Sequence, residues 1–365
     1  MSPAVDVERL RRERQDRLFE AMAADDLDAL ILGRPANVSY ASGAHQLWTA
    51  GARPWAPACV VLAASGDIHL LSVWDEGVPP EIPHDHLFGL TWDPTKLVRS
   101  LTAIPGLAAA ARVGTDGLSP MFAELFPWPT VDAGHTLSEA RGVKTADEIS
   151  AITAAIEVAE DGLSSLIEAV RPGVTERQLL GLFAERVAEL GTPILASESI
   201  ALATARRGPV TFRHVPTDRA IEADQLVVLN PGVIHAGYEG GVGRTWAPEP
   251  TSEHRRLAAR CHGALGALLG QCRDGRTGAH LRRAWQMTGE PLPPVPLAYG
   301  LGLGAEPPLI GDGVGHDAVL RAGAVLAVQS WVSEEGVGGF FEREVVLVGE
   351  GDPQVLSRFG HGPTS

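Results

Sequence analysis

The hydrophobic and polar positions in the first part of the chain predict alternating helices and strands. Residues 6–25 have the spacing of an amphipathic helix, and residues 27–32 form a short apolar run that is typical of a buried strand. Two further apolar runs, at 57–63 and 69–73, predict two more strands. Strands that alternate with helical stretches indicate an α/β domain, which we expect to span residues 1–138.

A second domain, residues 139–365, is predicted to begin with two helices. Thr145 or Asp147 can cap the first helix, and Thr175 can cap the second, which follows a turn at 172–176. The apolar face of the first helix repeats at the helical period through Ile149, Ile152, Ala155, Ile156 and Ala159. Further strands are predicted at 194–204, 226–234, 324–333 and 343–349. The chain as a whole is therefore expected to have an α+β fold.

Composition narrows the class of function. The chain has 365 residues, 45% apolar and 21% charged, as in an ordinary globular protein with a large core. Its net charge of −15 argues against nucleic acids and anionic membranes as partners. The three cysteines are scattered, no apolar run reaches about twenty residues, and the start is charged without a signal-like apolar core. We therefore expect a cytoplasmic protein.

The segment from His214 to Thr245 carries the most specific motif. It reads HVPTDRAIEADQLVVLNPGVIHAGYEGGVGRT, and it resembles the core of the pita-bread family of aminopeptidase P, prolidase, methionine aminopeptidase and creatinase. The R-x-x-K-x-x-x-E pattern at 141–148 is similar to the start of that family's carboxy-terminal domain, and 37–43 resembles a landmark of the creatinase-type amino-terminal domain. The resemblance implies a pita-bread domain with a curved antiparallel sheet, and a homodimer.

The resemblance also implies five metal-ligand positions, and here none of them is a carboxylate or an imidazole. By counting along the family motifs, these positions are Asn230, Gly241, Tyr299, Gln329 and Arg343. Hard divalent ions need several anionic oxygens, and a pair of close ions needs bridging carboxylates. We therefore expect a site without metal or another cofactor.

The register of the last strand leaves an alternative open. Glu342 and Glu344 flank Arg343, and alternate residues of a strand point to opposite faces. A slip of one residue would turn carboxylates, instead of the guanidinium, toward the site.

Three residues are candidates for chemistry. His214 resembles the creatinase histidine that serves as general base and acid, a role that suits imidazole near neutral pH. Arg343 places a positive charge where the family holds cations, and it can bind a substrate carboxylate. Tyr299 can donate a hydrogen bond to a developing oxyanion.

A further set of residues is predicted to bind substrate. The amides of Asn230 and Gln329 can orient a substrate amide or carboxylate, and the carboxylates of Glu239 and Glu306 can hold a cationic group. The complete set is Asn230, Tyr238, Glu239, Glu306, Gln329, Glu342, Glu344 and, from the amino-terminal domain, Arg53. In creatinase-type dimers the region that contains Arg53 reaches the site of the partner.

A pair of histidines, His84 and His86, stands apart from these motifs. The pair resembles a metal-binding motif. Without a third ligand clustered nearby in the sequence, however, the two histidines favour a polar loop.

Three functions fit these observations. The first is a metal-independent, creatinase-like enzyme in which His214 acts on a small amino-acid-like substrate with a carboxylate. Its reaction is hydrolysis of a C–N bond, or an elimination, isomerisation or cyclisation in specialised metabolism. The second is a catalytically silent binding module. The third is an Xaa-Pro metallopeptidase with displaced ligands, drawn from His214, His235, Glu306, Glu342 and Glu344.

Overall fold

The computed structural model describes residues 5–44, 55–89, 91, 93–192, 194–196, 200–205 and 207–360. The backbone divides into two compact units, residues 6–141 and the chain from Gly142 onward. Both units combine helices with strands, which confirms the predicted α+β class. No helix in the described part of the chain has the length and hydropathy that a membrane span requires.

The amino-terminal unit is built on a six-stranded mixed sheet with the order β4-β3-β2-β1-β5-β6. Its helices are α1 (Val7–Ala24), α2 (Pro35–Ser42), α3 (Pro94–Thr102), α4 (Pro120–Leu125) and α5 (Gly134–Gly142). Its strands are β1 (Ala29–Leu32), β2 (Cys59–Leu62), β3 (Ile68–Leu71), β4 (Leu87–Phe88), β5 (Val113–Thr115) and β6 (Thr130–Asp132). The helix predicted at 6–25 and the strands predicted at 27–32, 57–63 and 69–73 are all present, each slightly shorter.

In its described residues, the carboxy-terminal unit packs four helices against antiparallel sheets with the orders β10-β9, β11-β8-β7 and β13-β12-β14-β15-β16. The helices are α6 (Ala146–Ala169), α7 (Glu176–Glu189), α8 (Ser252–Leu269) and α9 (Gly278–Met287). The first seven strands are β7 (Ala201–Ala203), β8 (Val227–Leu229), β9 (Gly232–His235), β10 (Tyr238–Gly241), β11 (Arg244–Trp246), β12 (Ala298–Gly302) and β13 (Gly304–Ile310). The last three are β14 (Val325–Glu334), β15 (Gly338–Leu347) and β16 (Gln354–Val355).

Capping residues fix where α6 and α7 begin. The Thr145 side chain accepts from the backbone N–H of Glu148, while the Glu148 carboxylate accepts from the N–H of Thr145. Thr175 and Gln178 form the same reciprocal pair at α7. These two reciprocal pairs, known as capping boxes, satisfy backbone N–H donors that have no partner within the helix.

One predicted strand, 226–234, is in fact two. Between β8 and β9 the chain passes through Asn230 and Pro231, and proline lacks the N–H that a continuous ladder needs. The strand predicted at 343–349 begins earlier, at Gly338, because it pairs along its whole length with β14. Asn230 consequently lies at a break in the sheet rather than within a strand.

Candidate active site

Strand β10 presents two faces with different partners. A Cβ on Gly240 would lie 2.4 Å from backbone atoms of Ala155 and Ile156, so this face lies directly on α6. The Tyr238 hydroxyl, on the same face, donates to Glu148 Oε1 at 3.1 Å. Since alternate residues share a face, Glu239 and Gly241 point the other way.

A buried ion pair occupies that other face. The Arg343 Nη2 atom donates to Glu239 Oε1 at 2.9 Å, and both side chains are at least nine-tenths buried. Arg343 reaches this place from β15, beside Gln329 of β14, with which it pairs in the sheet register. The arginine therefore lies in the interior of the unit with its counter-ion supplied by β10.

Gly241 makes room for that arginine. A Cβ at position 241 would lie 3.0 Å from Arg343 Nη1 and 2.8 Å from the carbonyl oxygen of Pro231. Any side chain at this position, including that of aspartate, would have to displace the guanidinium or the backbone. The glycine at 241 and the arginine at 343 are thus two parts of one packing arrangement.

Tyr299 completes the cluster. Its ring centroid lies 5.4 Å from the Arg343 guanidinium carbon, and its hydroxyl donates to Glu239 Oε1 over a long 3.4 Å. Burial raises the pKa of Tyr299 to about 12, against the opposing effect of Arg343. Burial by itself would lower the pKa of Arg343, but Tyr299 and Glu239 raise it above its ordinary value. The tyrosine is thus neutral and the arginine charged at physiological pH.

The structure separates Arg343 from its two acidic neighbours. Glu344 Oε1 accepts from Arg244 Nη2 at 2.6 Å, and its other oxygen accepts from Ser357. Glu342 lies toward α8, with its carboxylate 3.5 Å from His262 Nδ1. In this register the guanidinium, and neither carboxylate, faces Gly241. Glu342 and Glu344, predicted to bind substrate, take part in other contacts.

Glu306 pairs with Lys144, a residue of the motif at 141–148 that was not predicted to belong to the site. The Lys144 ammonium forms an ion pair with the Glu306 carboxylate, and both side chains are almost fully buried. Lys144 is the lysine of the R-x-x-K pattern, so its motif position was visible, but nothing in the pattern indicated a carboxylate 162 residues away.

His214 has an exposed side chain in an irregular segment. Its ring packs edge-on against Phe212, with 5.5 Å between centroids. Phe212 in turn packs against Trp331 and Phe341, each with 5.2 Å between centroids. Phe341 is two residues before Arg343 on β15, so the histidine segment rests on the same face of that strand.

Next to this aromatic group lies an apolar cavity of about 260 Å³. Its walls come from the segment before His214, from a proline-rich segment and from β14. The lining residues are Val210, Thr211, Phe212, Pro291, Leu292, Pro293, Pro294, Trp331, Val332 and Ser333. These residues could not be predicted from the sequence as one group, because they belong to three separate parts of the chain.

Glu176 anchors the histidine segment. This fully buried carboxylate accepts from the backbone N–H groups of Ala203 and Thr217 and from the guanidinium of Arg213. Burial would raise the pKa of Glu176, but Arg213 and the other donors lower it below its ordinary value. Glu176 therefore fixes both ends of the segment that carries His214.

Of the predicted site residues, Gly241, Glu239, Tyr299, Gln329 and Arg343 come together around the ion pair. Asn230 is buried at the end of β8, next to Pro231, whose carbonyl faces Gly241. Tyr238 lies on the α6 side, and Glu306 with Lys144 forms a separate pair. Arg53 lies outside the described residues.

The sequence model of the family described as metallopeptidase family M24 matches residues 150–350, more than half of the chain. The chain therefore belongs to the M24 family. An uncharacterized peptidase of Staphylococcus aureus strain MSSA476 is 24% identical over 239 residues, which cover 62% of this chain and 66% of that relative. The chain thus spans just under two thirds of this curated relative.

Solved structures agree with the fold. The prolidase of Pyrococcus horikoshii OT3 superposes with a TM-score of 0.79 at 20% identity, covering 96% of this chain and 99% of that one. The Xaa-Pro dipeptidase of Bacillus anthracis gives a TM-score of 0.77 at 18% identity, covering 96% and 99%. These similarities confirm the predicted pita-bread fold.

The residues at the five predicted metal-ligand positions do not fit a metal ion. Asn230, Gly241, Tyr299, Gln329 and Arg343 offer no carboxylate and no imidazole, and the nearby Glu239 is already paired with Arg343. A cation there would meet the Arg343 guanidinium, and binding to Glu239 would require it to displace that guanidinium.

The displaced ligands considered for a metallopeptidase do not gather elsewhere either. Glu306, Glu344 and His235 contact Lys144, Arg244 and Thr192, respectively. Within the described ranges, the one group of three or more metal-ligating side chains lies in the amino-terminal unit and includes none of these residues.

We predict that Arg343→Met lowers the free energy of unfolding by about 3–5 kcal/mol, because it leaves the Glu239 charge buried without its partner. Adding Glu239→Gln should recover more than half of this loss. The control, Arg256→Met, breaks the exposed pair with Glu334 and should cost about 1 kcal/mol or less. Urea denaturation measures all four proteins, and equal losses in Arg343→Met and Arg256→Met would contradict the arrangement.

We predict that Glu176→Gln destabilises the unit by roughly 2–3 kcal/mol at neutral pH. Since the pKa of Glu176 is lowered on folding, its contribution is complete above the ordinary glutamate value of 4.5 and is lost as the pH falls through the lower folded value. The difference in unfolding free energy between wild type and variant should therefore shrink below that pH. A difference that stays constant on acidification would show that the Glu176 charge does not stabilise the fold.

Proposed function

We propose that this protein is a metal-independent enzyme of the M24 family that acts on a small, carboxylate-bearing substrate, with His214 as general acid and base. The observation that carries the proposal is the Arg343 guanidinium, whose Nη1 lies against Gly241 at one of the predicted ligand positions. This guanidinium, whose charge Glu239 balances, would supply fixed hydrogen-bond donors to a substrate oxygen without any ion to bind or lose.

The charge balance of the cluster supports the same proposal. Arg343 and Glu239 together carry no net charge, so the centre is stable without added cations. Nε of Arg343 is buried and has no hydrogen-bond partner among the described residues. An unused donor of this kind favours an acceptor group on a ligand, and a carboxylate or a carbonyl oxygen is the matching chemistry.

The surroundings of His214 support proton transfer beside an apolar group. The ring is exposed and rests on Phe212, which also lines the 260 Å³ cavity. A substrate with an apolar side chain in that cavity would bring its polar end close to the imidazole. His214 would then take a proton from water or from the substrate, and return it to the leaving or rearranging group. Hydrolysis of a C–N bond and a non-hydrolytic elimination, isomerisation or cyclisation both use this transfer.

The remaining substrate contacts follow from the same picture. Asn230 and Gln329 would orient the substrate amide or carboxylate, and Tyr299 would donate to an oxyanion next to Arg343. Arg53 would act from a partner subunit of a homodimer, and the cytoplasm is the compartment that we propose.

A catalytically silent binding module is the second candidate. The observation that favours it is the burial of Arg343, which is only 2% exposed and already holds Glu239. A ligand would reach this guanidinium only if neighbouring side chains moved. A binding module needs no such movement, and it would use the exposed surface around His214 and the cavity.

We predict that His214→Ala lowers turnover by about 10²–10⁴-fold while the fold is retained. The assay screens small amino-acid-like carboxylates and Xaa-Pro dipeptides in the presence of a chelator. The control is His316→Ala, another exposed histidine of the same unit, which should keep wild-type turnover. Turnover that His214→Ala leaves unchanged would contradict the assigned role. Activity that appears only after Mn²⁺ is added would support the metallopeptidase alternative instead.

A further inference from the structure

The amino-terminal unit contains a cluster of three metal-ligating side chains. Asp67, His69 and His86 each offer one ligand atom, and these atoms all lie within 4.8 Å of one another. The cluster belongs to residues 6–141 and shares no side chain with the candidate active site.

The backbone explains why these residues meet. Asp67 immediately precedes β3 and His69 lies within it, so the two side chains share one face of the strand. Strand β4 runs parallel to β3, with Leu87 opposite Leu70. His86, the residue before β4, therefore lies beside His69, and the two rings stack with 4.2 Å between centroids.

A backbone carbonyl orients one of the rings. The Nδ1 atom of His86 lies 3.3 Å from the carbonyl oxygen of Ile68. Because a carbonyl only accepts hydrogen bonds, Nδ1 carries the hydrogen, and in the neutral ring Nε2 holds the free lone pair. A hydrogen bond from the second ring nitrogen to a carbonyl is the usual way in which proteins orient a metal-binding histidine.

We propose that Asp67, His69 and His86 bind one divalent transition-metal ion, with Zn²⁺ as the best match and water at the remaining position. Two imidazoles and one carboxylate are ligands that Zn²⁺ accepts, at about 2.0–2.2 Å. Tetrahedral ligands at that distance are about 3.3 Å apart, so the three ligand atoms, now within 4.8 Å of one another, would draw together as the stacked rings turn toward the ion. His69 is buried, whereas Asp67 and His86 are partly exposed, which leaves the site open to ions from solvent.

His84 and His86, which are close in sequence, therefore have different partners in the structure. His84 is exposed and pairs with Asp75, with 2.8 Å between His84 Nδ1 and Asp75 Oδ1. His86 joins a different histidine, His69, and gains the third ligand that the sequence could not indicate. An ion held here would join β3 to β4 at the edge of the six-stranded sheet.

The test is a Zn²⁺ titration of tag-free, chelator-stripped protein by isothermal titration calorimetry, with Co²⁺ absorption as a second readout. We expect about one equivalent to bind with a micromolar or lower Kd, and Asp67→Asn or His86→Ala to weaken binding by roughly 10–100-fold. The control variant, His84→Ala, should bind like the wild type. Both cluster variants change partly exposed residues, and circular dichroism checks their folds.

Two results would overturn the proposal. One is the lack of any binding at about 100 μM Zn²⁺, a concentration far above that at which folded zinc sites fill. The other is binding that His86→Ala and Asp67→Asn leave unchanged. Metal that persists in these variants would lie elsewhere, and it would count against the metal-free active site rather than in favour of this cluster.

Discussion

The ion pair between Arg343 and Glu239 is the interaction on which the rest of the candidate site depends. It lies at least nine-tenths buried between β10 and β15, where an unpaired charge would be costly. Gly241 must lack a side chain for the guanidinium to fit, and Tyr299 packs against it. Arg343, Glu239 and Tyr299 thus form a nearly neutral, internally paired cluster beside Gly241. A side chain at position 241 is disfavoured in this arrangement, because it would meet the guanidinium.

This arrangement divides the site into a fixed centre and an exposed edge. The centre is held by strand pairing between Gln329 and Arg343 and by the contact of Gly240 with α6. The exposed edge carries His214. Glu176 accepts hydrogen bonds from residues on both sides of this histidine, whose ring packs against Phe212 beside the apolar cavity. The proposed chemistry uses both parts, with a proton donor and acceptor at the edge and the Arg343 guanidinium at the centre. A binding module would need the edge alone.

Much of the fold followed from local signals in the sequence. Thr145 and Thr175 mark helix starts because their side chains satisfy backbone donors, and such capping needs only neighbouring residues. Counting along the motifs led to Arg343 and Gly241, which the structure brings into contact. Strands β10 to β13 were not predicted, since glycine-rich segments such as Tyr238–Gly241 lack an apolar pattern. The partners of Arg343 and Lys144 could not be predicted either, because they lie far away along the chain.

The metal content of the His86→Ala protein tests the central claim most directly. The protein would be purified without chelators or an affinity tag, exposed to Mn²⁺, Co²⁺ and Zn²⁺, desalted and measured by elemental mass spectrometry. Removing His86 takes away one ligand of the proposed site in the amino-terminal unit, so that metal bound there is weakened enough to be lost on desalting. We expect fewer than about 0.1 equivalents of any of these metals, because the predicted ligand positions offer no anionic oxygen. One or two tightly held equivalents would show that the carboxy-terminal unit still binds metal, and would contradict the assignment of Arg343 as the replacement.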